Sequence, residues 1–405
     1  MDPVAEARDA GTHDARAAHG RRATSTLAAL FVAALALRPQ IVGAGPLIPA
    51  IQDDFGSSHA AVGLLGTIPV LCMGLFAPLA AYLAARIGTR QAMTIGLALI
   101  GTFGIVRTVG PAAWVVVLLT VPVGIGMGIG NALAPIAVKE RFSSRPATGT
   151  GVYTTGIQCG SAAAAALAVP LAGVLGGWRG SLIALSVVAC GSLVAWVVLT
   201  RGEEPHERPA ASIPRLPWGN GTAWLLVASF GLMGASYYGL NAWLPDAYGE
   251  HGWSDRKAGL LLAVMNLSGI ASSFLVPWLS DRHNRRRPWL LTMSVLFFTG
   301  AVGLVAVPAL GFAWATVAGV AQGGMFALVM TVPLDLEERP ERVGALVAMM
   351  LGLGYTFAAV APFALGAIRD ATRSFNAVLW VAAGLLVLQF FALLALPRSR
   401  GELSL

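Results

Sequence analysis

Apolar residues along this chain fall into long runs separated by short polar loops, at 26–50, 60–85, 91–109, 113–138, 149–176, 180–200, 222–248, 257–280, 288–308, 310–334, 343–368 and 375–396. Most runs hold about the 20 residues that a helix needs to cross the hydrocarbon core of a bilayer. Twelve such runs predict an all-α polytopic membrane protein. The longest polar, proline-rich stretch after the N-terminus, R-G-E-E-P-H-E-R-P-A-A-S-I-P-R-L-P-W-G-N-G, separates the sixth run from the seventh. The expected organisation is therefore an N-terminal tail over 1–25, a six-helix half over 26–200, a linker over 201–221, a second six-helix half over 222–396 and a C-terminal tail over 397–405.

The halves repeat each other. At a single offset of 196 residues Gly43 matches Gly239, Pro49 matches Pro245, Arg86 matches Arg282 and Arg90 matches Arg286. Equal hydropathy alone would not produce that register. Because six is an even number, both halves enter from the same side, as in a parallel repeat about an axis along the membrane normal. A solute site is then expected between the halves near the midplane.

Composition agrees with the runs: 56% of the 405 residues are apolar and 12% charged, which excludes a soluble globular protein. A net charge of +7 would suggest nucleic acid in a soluble chain. Here all the basic residues but one lie in tails, short loops and run ends, so no nucleic-acid partner is expected. Of the 27 Lys and Arg residues, alternate loops and both tails hold twenty, whereas Arg107, Arg179, Arg256, Lys257, Arg369 and Arg373 fall on the other side. This positive-inside bias predicts a multi-pass protein of the inner cell membrane with both termini cytoplasmic. The basic N-terminal tail has the look of a signal-peptide front, but the apolar pattern resumes beyond Arg38. Cys72, Cys159 and Cys190 lie inside apolar runs without ligand spacing, so neither a metal site nor a cofactor is expected.

The candidate chemistry centres on Arg38. Twelve residues of the first run lie on either side of it, roughly 18 Å of helix each way. A guanidinium at that depth costs about 2.5 to 3.5 kcal/mol and needs a partner or a watery cavity. Pro39 follows directly, and Gly43, Gly45, Pro46 and Pro49 weaken the run toward its far end, so a kink is expected there. Polar residues at comparable depth are Gln158, Gln322 and Tyr355, with Asn131 and Asn266 somewhat off the midplane. Tyr237, Tyr238, Asn241 and Trp243 lie in the outer half of the seventh run. The solute-lining candidates are thus Arg38, Asn131, Gln158, Tyr238, Asn241, Asn266, Gln322 and Tyr355; Asn131, Gln158, Asn266, Gln322 and Tyr355 alternatively bond a neighbouring helix, and Trp243 also suits the interfacial aromatic belt.

Two strings carry less than they suggest. G-I-G-M-G-I-G at 124–130 has no preceding strand and no P-loop lysine, and reads as close helix packing. The sequon Asn220-Gly221-Thr222 falls in the expected cytoplasmic linker. Gly156, Gly160, Pro170, Gly173, Gly176 and Gly177 make the fifth run thin on one side and breakable near its outer end.

From about Thr24 to Pro397 the chain resembles the major facilitator superfamily. L-S-D-R-H-N-R-R-R, Leu279 to Arg287, is similar to that family's acidic-basic loop motif, and Ala84-Ala85-Arg86-Ile87-Gly88-Thr89-Arg90 is its first-half counterpart, with Ala85 in place of the usual aspartate. The resemblance implies gating roles for Asp281, Arg282, Arg285, Arg286, Arg86 and Arg90, with Asp281 expected to face the positive end of the fifth helix. The fifth helix loosely resembles the glycine-proline element of exporters. Leu37-Arg38-Pro39 and G-Y-T-F-A-A-V-A-P-F-A-L-G-A-I-R-D, Gly354 to Asp370, resemble the cyanate and 2-nitroimidazole transporter group.

That group implies a secondary transporter moving a small anion or compact polar solute by alternating access, as a monomer in a lipid bilayer. A drug exporter of the same superfamily and a non-transporting membrane sensor are the alternatives. A buried cation without a buried acid argues against cationic drugs. Apart from Asp246 at the end of its run, no His, Asp or Glu lies inside a predicted run and no nucleophile–base pair appears, so no enzymatic activity is expected. The same absence predicts that transport is either facilitated or coupled to a proton carried on the solute itself.

Overall fold

The computed structural model describes residues 25–56, 59–142, 146–201, 215–283 and 285–397. The expected tails, except Ser25 and Pro397, and residues 202–214 of the expected linker lie outside them. Among the described residues the chain is helical with no strand. The first span is made of α1 (25–35), α2 (Pro39–Val42) and α3 (Ile48–Phe55), and the second of α4 (His59–Leu75) and α5 (Ala77–Ile87). One long helix follows for each further span: α6 (Thr89–Val106), α7 (Ala113–Arg141), α8 (Pro146–Val174), α9 (Trp178–Leu199), α10 (Gly221–Glu250), α11 (Asp255–His283), α12 (Arg286–Ala306), α13 (Gly311–Leu336), α14 (Pro340–Thr372) and α15 (Phe375–Leu394).

Eleven of these are long and apolar enough to cross a membrane singly, and the α4–α5 pair, bent by 50°, makes the twelfth. Pro78 in the first turn of α5 lacks the N–H that a continuous helix needs. Beside the bend, Gly74 lies against the Gly352 carbonyl and Thr356 of α14, where a Cβ would come within 2.7 Å of both. The first span breaks outright rather than kinking: residues 36–38 leave the helix, and it resumes at Pro39. Proline removes one amide and its ring clashes with the carbonyl four residues back.

Glycines set how closely the spans pack. Gly124 and Gly128 of α7 lie on the Pro69–Met73 stretch of α4, Gly126 faces Gly96 of α6, and Gly130 takes the Leu37 side chain. This is the close packing expected for the 124–130 string. Gly156 and Gly160 of α8 lie on the backbone of α1 at Phe31 and Leu35, immediately before the break. Across the two halves, α4 and α5 pack on α14, while α8 packs on α11. Large apolar side chains that stay exposed, among them Leu75, Trp114, Leu118 and Phe363, belong on the outer face of a bundle whose solvent is lipid.

The 196-residue register extends to contacts. The Arg86 guanidinium lies 5.9 Å from the Tyr82 ring, and Arg282 lies 5.7 Å from the Trp278 ring, the same pair four residues apart in each half. Asn220 is the N-cap of α10, its side-chain oxygen accepting from the Thr222 and Ala223 amides at 2.8 and 3.2 Å.

Candidate functional site

The break in the first span presents Arg38 to the second half. Its Nη1 donates to the Tyr238 hydroxyl of α10 at 2.5 Å, and its Nη2 to the Tyr355 hydroxyl of α14 at 2.9 Å. The guanidinium is 8% exposed and lies 5.8 Å from the centre of the Tyr355 ring, within cation–π range. Its Nε is buried without an acceptor. Phe230 meets Tyr355 edge-on at 4.9 Å, and Tyr237 meets Tyr238 in the same manner at 5.2 Å, so rings hold both phenols in place. A hydroxyl that accepts from a guanidinium keeps its own proton to donate. Neither tyrosine proton has an acceptor among the described residues. The cluster is therefore an array of donors without a carboxylate.

Several expected lining residues serve this array at one remove. Tyr237 donates to Asn266 Oδ1 at 2.7 Å, Asn266 Nδ2 donates to Asn241 Oδ1 at 3.0 Å and to the Leu262 carbonyl, and Asn241 Nδ2 donates to the Tyr237 carbonyl. Asn241 and Asn266 thus tie α10 to α11 and steady Tyr237 behind Tyr238. Asn131 is fully buried and donates to the Met127 carbonyl within α7. Gln158 lies against Gly269 of α11, and Gln322 on α13 adjoins Gly323, which packs on that same glycine; both glutamines are almost fully buried. Trp243 donates to the Pro362 carbonyl at 2.9 Å and packs on Gly366, joining α10 to α14.

Two residues were missed. Tyr153 of α8 is buried, and its hydroxyl donates to the Gly130 carbonyl and to Asn131 Oδ1 of α7, both at 3.4 Å. Its position three and seven residues before Gly156 and Gly160 places it on the helix face that meets α1, a signal present in the sequence. Arg107, expected in an outer loop, is instead fully buried at the end of α6. It donates from Nη1 to Thr120 Oγ1 at 3.1 Å, and from Nη2 to the Gln40 carbonyl and side-chain oxygen at 3.1 and 2.8 Å. Hydropathy assigns an arginine at a run end to the loop, and the long side chain turning inward defeats that rule. Arg38 is therefore not the sole buried cation.

At the end of the bundle that carries the arginine-rich loops, here the basic end, Asp281 reaches from the second half to the first. Its Oδ2 accepts from the Thr148 amide at 2.7 Å and the Thr148 hydroxyl at 2.8 Å, in the first turn of α8, where the helix dipole favours an anion. Its Oδ1 accepts from Arg286, which also bonds Asp335 at 2.7 and 3.0 Å. A second contact crosses the halves: Lys139 Nζ donates to the Leu334 carbonyl near the C-terminus of α13 at 2.9 Å. Lys139 was not among the expected gating residues. Arg90 bonds Thr200 Oγ1 and the Val197 carbonyl at the end of α9, inside the first half. Arg282 and Arg285 are exposed.

Residues 26–359 and 232–404 match the family model described as Major Facilitator Superfamily. The cyanate transport protein CynX of Escherichia coli (strain K12) is 31% identical over 350 residues, covering 86% of this chain and 91% of that protein. The 2-nitroimidazole transporter of the same organism is 29% identical over 380 residues, covering 93% and 96%. Among solved structures, the E. coli fucose:proton symporter FucP superposes with a TM-score of 0.73 over 93% of this chain and 98% of that one, at 13% identity.

Proposed function

The chain belongs to the major facilitator superfamily, and from that premise we propose that it is a secondary transporter for a small, acceptor-rich solute, a compact anion or a planar polar molecule, with Arg38 as the binding cation. The observation that carries this reading is the donor array: a buried guanidinium and two tyrosine hydroxyls with no carboxylate to neutralise them. Cyanate is a small anion, and a nitroimidazole carries a nitro group with two acceptor oxygens and no cation. A site rich in donors and poor in acceptors suits both.

The two halves work as alternating gates around this site. Asp281–Thr148 and Lys139–Leu334 keep the basic end shut, and by the positive-inside rule that end is cytoplasmic. Opening it requires both contacts to break while Arg38 exchanges its tyrosine partners for solute.

Uptake of cyanate, formate and 2-nitroimidazole into proteoliposomes tests the reading, with a cationic drug as control. Wild-type protein is expected to carry at least one of the three and not the drug. Arg38→Lys should fail with Arg38→Ala, because an ammonium lacks the planar fork. Undiminished uptake and affinity in Arg38→Ala would remove Arg38 from the site.

A further inference from the structure

We propose that Arg107 is a positioning residue for solute binding, holding the resumed segment of the first span in the place from which Arg38 is aimed. This rests on the reading of Arg38 as the solute-binding group.

The break leaves a backbone hydrogen bond unmade. In the short α2 segment, the Ile41 and Val42 amides bond the Arg38 carbonyl, the Gly43 amide bonds the Pro39 carbonyl, and the Ala44 amide bonds the Ile41 carbonyl. The Gln40 carbonyl is passed over, and no described backbone amide reaches it. Gln40 is fully buried, so its carbonyl is shielded from bulk solvent and needs an internal partner. Arg107 does, at 3.1 Å, and the same Nη2 takes the Gln40 side-chain oxygen at 2.8 Å. Gln40 Nε2 in turn donates to Ser186 Oγ of α9 at 3.0 Å, and Arg107 Nη1 is anchored on Thr120 of α7. Ser186 of α9 and Arg107, itself anchored on α7, therefore hold one residue. Gly104 makes the slot: a Cβ there would come 3.2 Å from the Gln40 amide.

Gln40 is separated from Arg38 by Pro39 alone, whose ring fixes its own φ. A displacement of Gln40 is therefore passed to the Arg38 backbone with little slack. The far end of the span is also fastened, since Asp54 of α3 accepts from Arg179 and from the Trp178 indole at 3.2 Å. The segment from Pro39 to Phe55 is thus held to the first half at both ends, and Arg38 stands at its inner edge. A neutral side chain would avoid the cost of burying the Arg107 charge. What a neutral residue lacks is a rigid fork that satisfies the Gln40 carbonyl, the Gln40 side chain and Thr120 together.

The test is uptake kinetics in proteoliposomes with the best-transported of cyanate, formate and 2-nitroimidazole, comparing Arg107→Lys and Gln40→Leu with wild type and with Arg38→Lys. Gln40→Leu keeps a residue of similar size and leaves Arg107 in place, so it serves if Arg107→Lys does not fold. Positioning predicts KM raised about tenfold in both variants, with Vmax per folded molecule within about twofold. A merely structural role lowers Vmax through loss of folded protein and leaves KM at the wild-type value, and that result would overturn the inference. If Arg38→Lys also keeps a wild-type KM, or wild type carries none of the three solutes, the reading of Arg38 falls first and this inference with it. Lost uptake or a raised KM in Arg38→Lys, with unchanged KM in both other variants, removes Arg107 alone.

Discussion

Neutralising Asp281 separates bonds that cross the halves from bonds that do not. Its contacts with Thr148 join the second half to the first and must break when the basic end opens, whereas its contact with Arg286 stays within the second half in either state. The latter cancels in the comparison. Asp281 is partly buried, its side chain 12% exposed, so screening by water is moderate. A hydrogen bond to a charged group contributes about 1.5–3 kcal/mol net, and asparagine retains a neutral acceptor in the same place. The loss on Asp281→Asn is then about 2 kcal/mol, a shift of about 30-fold toward the open basic end. A population held at about 99:1 closed would fall to roughly 3:1. Arg286 keeps both bonds to Asp335, so the variant should fold. With Cys72, Cys159 and Cys190 replaced, spin labels at the exposed positions Gln91 and Glu341, at the basic ends of the two halves, report the separation by pulsed electron resonance. A new long-distance population should appear in Asp281→Asn. An unchanged distribution in both Asp281→Asn and Asp281→Ala would mean that the α8 contact does not hold this end shut.

Two further outcomes follow from the packing and from the charge pattern. Gly160→Ala would place a methyl 3.0–3.1 Å from the Leu35 carbonyl carbon and Cα, and nearer still to its oxygen, which backbone cannot readily yield; the overpacking should cost about 1–3 kcal/mol and lower the unfolding temperature in detergent. Gly173→Ala, where a Cβ meets nothing within 4 Å, is the control that should leave it unchanged. Among the described residues no Asp, Glu or His lies inside a span at the depth of Arg38. A pH gradient across proteoliposomes should therefore not drive uphill uptake of a solute that cannot itself be protonated, and accumulation that collapses with a protonophore would show that an acid at a helix end carries the proton.

Twelve spans, the repeat at 196 residues and the weak point at Pro39 were legible because each is a local property: run length, spacing, or a missing amide. That Arg38 needs partners followed from the same counting. Which partners it has did not, because Tyr238 and Tyr355 lie 200 and 317 residues away and meet it only when the halves dock. The 124–130 glycines read as packing from sequence, yet only the structure shows that Gly130 receives Leu37, next to the break. Asn131 and Arg107 mark the limit from opposite directions. Asn131 sits deep in a run and bonds its own helix and Tyr153 of α8, while Arg107 sits at a run's edge and turns into the core. Hydropathy reports where a Cα lies along the membrane normal. The direction of a side chain is decided by which neighbour offers the buried carbonyl or amide that would otherwise go unpaired.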